Sequence, residues 1–161
     1  MSLNIDKIKK RIDKYDIISF DIFDTLIKRN LNNYQQIYEM VEKRCYERYN
    51  LRLENFKNYR ILSEKKITTE DFIPNINDIY NSMKEFTIEQ RNKIKNIEFE
   101  IEQEYCQCNY DIKPLYDYCL EKGKKIIITS DMYLDKKNII KLLDRAGIYK
   151  YYKIFISCEY N

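Results

Sequence analysis

The last third of the sequence alternates two patterns, and this alternation limits what the chain can fold into. The segments "KIIITS" (125–130) and "YKIFIS" (152–157) are short apolar runs rich in isoleucine, which is typical of buried strands. Between them, "DKKNIIKLLDRAG" (135–147) has apolar residues at helical spacing and stops at a glycine. A strand, a helix and a strand in this order predict a parallel sheet covered by helices.

The earlier part of the chain adds one strand and several helices. The run "IISF" (17–20) is predicted as a buried strand that follows an amphipathic helix over 4–14. From about residue 31 to 108 no strand pattern is found. Helical spacings and a capping-box pattern at "TIEQ" (87–90) predict a helical block there. A further helix over 112–123 leads to the second strand. The predicted fold is therefore an open α/β core with an inserted helical cap.

Composition and charge exclude several classes of function. The 29 basic and 26 acidic residues nearly cancel, and a net charge of +3 gives no support to a nucleic-acid or membrane partner. The sequence has no signal peptide and no apolar run of membrane-spanning length, so we expect a cytoplasmic protein. The five cysteines then predict reduced thiols. Because the chain has no histidine, Ser-His-Asp, Cys-His and His-ligated metal sites are excluded.

Three charged or cysteine-containing segments have an ordinary structural interpretation. The segment "KIKKR" (7–11) is predicted as a solvated helix face. The same is expected of "EFEIEQE" (98–104), with the alternative that its glutamates and Arg29 face the functional site. The segment "CQC" (106–108) has no second cysteine pair at zinc-type spacing, so buried thiols are favoured over a metal site.

Polar clusters follow two of the predicted strands. Asp21 to Thr25 come after the first strand, and Thr129 to Asp131 end the second. Ligands of open parallel sheets bind beyond the carboxyl ends of the strands, where adjacent strands would bring the clusters together. The structural alternatives are a turn after the first strand and an N-cap at Ser130 or Asp131 for the next helix.

The same residues resemble a known family. The segment "FDIFDTL" (20–26) followed by "IIITSDMYL" (126–134) is similar to the haloacid dehalogenase (HAD) superfamily, whose members are mostly magnesium-dependent phosphatases. More narrowly, the pair resembles the HAD-type modules associated with bacterial glycosyltransferases. The resemblance implies a Rossmann-like, HAD-like core with three strands, formed by residues 1–29 and 109–161. It also implies an α-helical cap formed by residues 30–108.

The resemblance also implies roles for particular residues. Asp21 would be the nucleophile that forms an aspartyl-phosphate from a small phosphorylated substrate. Ser130 and the backbone N–H groups of Ile22 and Phe23 would bind the phosphoryl oxygens. Mg²⁺ would be held by Asp21 and the carbonyl of Phe23. Asp131 would contact the substrate directly, or it would contact a residue that binds the substrate.

The sequence departs from the family pattern just after the nucleophile. The phosphatases usually carry a second aspartate two residues after the first, as general acid and base, and here that residue is Phe23. Asp24 comes one residue later and is a candidate catalytic acid, a metal or supporting carboxylate, or a turn residue. Branches of the family without an acid at this position include dehalogenases and phosphonate-cleaving enzymes.

The second departure concerns the end of the sequence. The family's lysine and its pair of metal-binding acids follow the third strand, but no such residues occur before Asn161, and Lys153 precedes that strand's apolar run. We therefore expect full activity to need groups that this sequence lacks. The first strand would also be an exposed apolar edge. We expect it to be covered by the rest of a longer chain or by a second copy.

Three functional hypotheses follow. The first is a HAD-type phosphohydrolase that acts through an aspartyl-phosphate. The second is a non-catalytic, HAD-like ligand-binding or accessory module of a glycosyltransferase system. The third is a receiver-like phosphoacceptor, and the long helical insertion after the first strand argues against it.

Overall fold

The computed structural model describes residues 4–160, so the outermost residues of the predicted core, 1–3 and 161, lie outside the described residues. The described chain alternates helices and strands and ends in a short 3₁₀ turn. The helices are α1 (Ile5–Ile12), α2 (Gln36–Tyr49), α3 (Phe56–Ile67), α4 (Ile76–Ser82), α5 (Ile88–Tyr105), α6 (Lys113–Glu121) and α7 (Lys136–Arg145). The strands are β1 (Ile17–Asp21), β2 (Ile27–Arg29), β3 (Cys106–Cys108), β4 (Lys125–Ser130) and β5 (Lys153–Ile156).

The core is a three-stranded parallel sheet, which confirms the predicted α/β fold class. The strand order is β1-β4-β5, so β1 lies at one edge, as the sequence predicts. In register, Asp21 is opposite Thr129, and Thr129 is opposite Phe155. The carboxyl ends of all three strands therefore meet at one edge of the sheet, as ligand sites of open parallel sheets require.

Helices cover one face of this sheet. Strand residues alternate in burial, and Phe20, Ile128 and Ile154 point into the core. α6 packs on β4, and α1 packs on α6. The chain passes from β1 to its neighbour β4, and then from β4 to its neighbour β5 on the far side. Both connections therefore run in the same direction across the sheet. Right-handed crossovers therefore place α6 and α7 on the same face.

The ends of the core helices follow local sequence signals. The side chain of Asp135 accepts a hydrogen bond from the backbone N–H of Asn138 and caps α7. The alternative interpretation of Ser130 or Asp131 as this N-cap is therefore wrong. The chain leaves α6 and α7 through Gly123 and Gly147, whose φ angles are +65° and +72°. Glycine reaches this left-handed region without the steric cost that a Cβ brings.

Helices α2 to α5 pack together into a helical block between β2 and β3. Thr87 and Gln90 form the predicted capping box at the start of α5. The expectation that "EFEIEQE" (98–104) is a solvated face is wrong for Glu98 and Glu102, which are both 0% exposed. Each carboxylate is neutralised by an arginine from another element, and this pairing makes its burial tolerable.

The predicted absence of strands between residues 31 and 108 is also wrong. Residues 106–108 form β3, which pairs antiparallel with β2 over residues 27–29. The two short strands bring the ends of the helical block together. The cysteines of "CQC" are buried in this pairing, and the other three cysteines of the chain are buried as well.

Membrane-spanning helices are not found in the part of the chain that the structure describes. Across residues 4–160, no helix combines the length and the apolar character that a bilayer crossing needs.

Candidate functional site

A cavity of about 790 Å³ lies at the carboxyl ends of the three parallel strands. It brings together residues from the ends of β1, β4 and β5 and from the 3₁₀ turn that follows. The lining residues are Asp21, Thr129, Ser130, Asp131, Phe155, Ser157 and Tyr160. Of the residues predicted for the site, Asp21, Ser130 and Asp131 therefore line one cavity.

Asp21 is the last residue of β1, and its carboxylate is exposed to the cavity. Its Oδ2 accepts a hydrogen bond from the hydroxyl of Thr25 at 3.2 Å. The intervening turn is anchored by Ile22, whose side chain is fully buried and whose carbonyl accepts from the N–H of Ile27 at 2.9 Å. The amide of Asn109 also donates to the carbonyl of Thr25 at 2.7 Å. These contacts hold the Asp21 carboxylate and the turn after it in position. None of these donors carries a positive charge.

Ser130 ends β4 and is almost completely buried. Its Oγ accepts a hydrogen bond from the N–H of Met132 at 3.3 Å. Its carbonyl accepts from the hydroxyl of Ser157 at 3.2 Å. Because Oγ acts as an acceptor toward Met132, its proton is available for a ligand in the cavity. The hydroxyl thus belongs to the same cavity as Asp21 and has its proton free to donate.

Asp24 is placed differently from Asp21. It is exposed, has a φ of +57° and is not among the residues that line the cavity. Asp and Asn adopt this left-handed conformation more readily than other non-glycine residues. Of the roles predicted for Asp24, the turn residue fits this left-handed conformation. Its role as a catalytic acid stays a prediction.

Phe23 occupies the position where the phosphatases carry their acid, and a network involving Arg29 holds it. The guanidinium of Arg29 lies 4.2 Å from the ring centroid of Phe23. Arg29 also donates two hydrogen bonds to Glu102 at 2.9 and 3.0 Å. Burial alone would lower the pKa of Arg29, but the hydrogen bonds and charge of Glu102 outweigh it and raise that pKa. A permanently charged side chain therefore lies against Phe23.

Arg29 also lines a second, smaller cavity of about 240 Å³ between the helical block and the loop after β4. Asp131 and Tyr133 come from that loop, and Asp131 lines both cavities. The sequence predicts Arg29 at the site only as an alternative and does not predict Tyr133. The signal that could identify both residues is that they follow Asp21 and Ser130 closely in the sequence, because residues just beyond a strand end share its site.

That Asp21 and the carbonyl of Phe23 hold Mg²⁺ stays a prediction. Both groups would offer oxygen ligands, which Mg²⁺ prefers. Within residues 4–160, however, no three Asp, Glu, Cys or His side chains group as a metal cluster. No lysine lines the cavity in this part of the chain either, and Lys153 is exposed at the opposite end of β5. A bound ion would therefore depend on water and on substrate oxygens for most of its ligands.

Neither a protein-family model nor a curated protein matches the sequence. Solved structures do match the fold. A protein of Thermotoga maritima assigned as a beta-phosphoglucomutase superposes with a TM-score of 0.56 at 13% identity, over 90% of this chain and 62% of the other. The fold is HAD-like.

Two further structures share the HAD-like fold. YfnB from Bacillus subtilis, assigned as a HAD-hydrolase and bound to magnesium, has a TM-score of 0.53 at 18% identity, over 90% of this chain and 66% of its own. A 2-haloacid dehalogenase from Pseudomonas syringae has a TM-score of 0.53 at 12% identity, over 89% and 64%. The chain thus spans less than two thirds of each of these three structures. The predicted HAD-like core is confirmed as a fold, and the association with glycosyltransferases stays a prediction.

Proposed function

We propose that the chain is the core of a HAD-type phosphohydrolase that removes the phosphoryl group of a small phosphorylated metabolite. The observation that carries this proposal is that Asp21 and Ser130 line one cavity at the ends of adjacent parallel strands. The HAD-like fold and the magnesium bound in the YfnB structure support it. Full activity is proposed to require a lysine and further acidic groups in addition to the residues that line the cavity.

In the proposed reaction, an oxygen of the Asp21 carboxylate attacks phosphorus, and the bond from phosphorus to the leaving oxygen breaks. The product is an aspartyl-phosphate, which water then hydrolyses to restore the carboxylate and release phosphate. The Ser130 hydroxyl and the N–H groups of Ile22 and Phe23 donate hydrogen bonds to the phosphoryl oxygens. The ordered turn after Asp21 keeps these donors in place before substrate binds.

Asp21 and the carbonyl of Phe23 would hold Mg²⁺. When bound, the ion would supply positive charge that lets an anionic carboxylate approach an anionic phosphate. Because Phe23 cannot donate a proton, the leaving oxygen would take its proton from Asp24 or from water. Esters with acidic leaving groups should therefore react faster than alkyl phosphates.

The experiment measures phosphate release with and without Mg²⁺ from para-nitrophenyl phosphate and a panel of phosphorylated sugars. The variant Asp21→Asn keeps the size of the side chain and removes its charge, so release should fall to background. The matched control is Asp16→Asn, an exposed aspartate just before the opposite end of β1. Equal turnover by wild type and Asp21→Asn would refute the assignment of the nucleophile.

One observation favours a second candidate function, a non-catalytic ligand-binding or accessory module of a glycosyltransferase system. The ring of Phe23, held against Arg29, takes the place of an acid, and no lysine lines the cavity among the described residues. This candidate predicts that phosphorylated sugars bind without turnover. Titration calorimetry on the same panel distinguishes the two, because a binding module releases heat on binding while producing no free phosphate.

A further inference from the structure

The smaller cavity, between the helical block and the loop after β4, combines aromatic rings with carboxylates. We call it the side cavity, and its volume is about 240 Å³. Its lining includes three tyrosines, two acids and one arginine, which are Tyr34, Tyr38, Tyr133, Glu64, Asp131 and Arg29. The charges and rings of these residues limit the kind of group that the side cavity can bind.

Asp131 connects the side cavity to the cavity at the strand ends, because it lines both. It directly follows Ser130, whose hydroxyl proton is free for a phosphoryl oxygen. A phosphate monoester with its phosphoryl group at Ser130 can therefore extend past Asp131. The side cavity is then placed to receive the group at the far end of the alcohol.

The positive charge of Arg29 is already paired. Its Nε and one Nη donate to the two carboxylate oxygens of Glu102 at 2.9 and 3.0 Å. The two side chains are 11% and 1% exposed, so water and salt screen this pair only weakly. Arg29 therefore leaves little net positive charge in the side cavity for an anionic ligand.

The negative charges of the side cavity are balanced less completely. Arg60 donates one hydrogen bond to Glu64 at 2.7 Å and two to Glu98 at 3.0 Å, so two carboxylates share its single charge. Asp131 is exposed and forms no salt bridge within residues 4–160. In the same part of the chain, no lysine lines the side cavity. Glu64 and Asp131 therefore favour a cationic ligand.

The tyrosine rings favour a cation as well. The face of an aromatic ring attracts an ammonium or guanidinium group within about 6 Å of its centroid. The guanidinium of Arg60 already lies 5.1 Å from the ring centroid of Tyr38 and 4.6 Å from that of Tyr133. Tyr34 packs against Tyr38 with an edge-to-face geometry at 6.5 Å, and half of its surface is exposed. Its ring is therefore accessible to a ligand cation.

We propose that the side cavity binds the protonated amine of the substrate. The ammonium group pairs with Asp131 and Glu64 and contacts the ring of Tyr34, while the phosphoryl group binds at Ser130. The substrate class is then a phosphate monoester whose alcohol carries an amine. A hydroxyl in the same place gains less, and a carboxylate is repelled. This inference rests on the proposed function, from which it takes the position of the phosphoryl group.

The test compares three phosphate monoesters that have two carbons and differ in their terminal group. Phosphoethanolamine ends in an ammonium, hydroxyethyl phosphate in a hydroxyl and phosphoglycolate in a carboxylate. Their affinities for the Asp21→Asn variant, which should not turn them over, are measured by NMR chemical-shift titration with Mg²⁺. The energy of an exposed ion pair predicts that the ammonium compound binds roughly 1.5- to 5-fold more tightly than the hydroxyl compound. Over the carboxylate compound, the expected preference is roughly 2- to 30-fold.

Further variants identify the residues that produce the preference. Asp131→Asn keeps the shape of the side chain, and Glu64→Gln keeps an oxygen that can accept from Arg60. Combined in the Asp21→Asn background, they should make the ammonium and hydroxyl compounds bind equally. The matched control is Glu85→Gln with Glu121→Gln, which has the same net charge change at exposed residues outside both cavities. This control should keep the preference.

Several results would overturn the proposal. Equal binding of the three compounds, or binding no tighter than that of inorganic phosphate, would show that the terminal group gains nothing from the side cavity. Tightest binding of phosphoglycolate would identify Arg29 as the ligand of an anion instead. A preference that persists without the charges of Asp131 and Glu64 would also contradict the proposal. Circular dichroism checks the fold of the combined variant, and Asp131→Asn alone decides the question if that variant is unfolded.

Failure of this proposal can be distinguished from failure of the proposed function. The order of affinities is measured without turnover, whereas the nucleophile is tested by phosphate release. If wild type and Asp21→Asn release phosphate equally, the assignment of Asp21 fails, and the order of affinities still tests the side cavity. If only Asp21→Asn is inactive and the three compounds bind equally, the phosphohydrolase stands and the amine site is rejected.

Discussion

Replacing Arg60 is expected to be among the most damaging single changes in the helical block. Both Arg60 and Glu98 are 0% exposed. The guanidinium donates two hydrogen bonds to Glu98, each at 3.0 Å, and one to Glu64 at 2.7 Å. The hydroxyl of Tyr80 donates to Glu98 at 2.6 Å. Arg60→Met fills similar volume but leaves the Glu98 carboxylate buried without its counter-charge.

The expected cost follows from that geometry. Removing one partner of a buried ion pair costs about 3–5 kcal/mol, most of it from the unpaired charge left behind. A domain of this size loses roughly 2–4 °C of melting temperature per kcal/mol, so Arg60→Met should lower Tm by about 6–20 °C. Urea unfolding followed by circular dichroism measures the free energy directly.

The matched control is Arg48→Met, which breaks the pair between Arg48 and Glu100 on the surface of the same block. Those side chains are 45% and 41% exposed, and such pairs contribute about 1 kcal/mol or less. The double variant Arg60→Met, Glu98→Leu removes both charges and should recover part of the loss. If Arg60→Met costs no more than Arg48→Met, the buried pair does not stabilise the block as argued.

Two further predictions concern the core. Gly147→Ala should cost about 1–2 kcal/mol in urea unfolding, because alanine is strained at a φ of +72° although no atom lies within 4 Å of the added Cβ. Burial raises the pKa of the Cys45, Cys119 and Cys158 thiols to about 11, whereas thiols of an unfolded chain ionise at about 8.5. Between these values the unfolded state loses protons that the folded state keeps, so stability is complete below about pH 8.5 and falls toward pH 11. Thermal melts across this range, under reducing conditions, should show Tm decreasing with pH, and alanine at the three positions should flatten the decrease.

The core elements could be predicted because their signals are local. The isoleucine-rich run of β4, the glycine after α7 and the capping box of α5 each specify their structure within a few residues. The hairpin of β2 and β3 could not be predicted this way. Each strand has three residues, too few for a periodicity, and its partner lies at the far end of the helical block. Pairings of that kind depend on the folded arrangement of everything between them.

The candidate site, like the fold, could be predicted from the sequence only in part. Asp21 and Ser130 line one cavity because parallel strands align their carboxyl ends, and that rule can be applied to the sequence alone. The contact of Arg29 with Phe23 and Glu102 depends on how α5 packs, which no motif encodes. A weaker signal did exist for the buried glutamates. Glu98 and Glu102 directly follow Ile97 and Ile101, at the edge of the apolar stripe of α5.

Tyr133 ties the helical block to the strand that carries Ser130. Its carbonyl accepts a hydrogen bond from the N–H of Ile76 in α4 at 2.7 Å, and its ring lies 4.6 Å from the guanidinium of Arg60. Only two residues, Asp131 and Met132, lie between this anchor and Ser130. The block therefore cannot swing away as a free lid: any opening has to withdraw Tyr133 or pull on the loop after β4. Ligand entry and the alignment of Ser130 would then share one kinetic barrier.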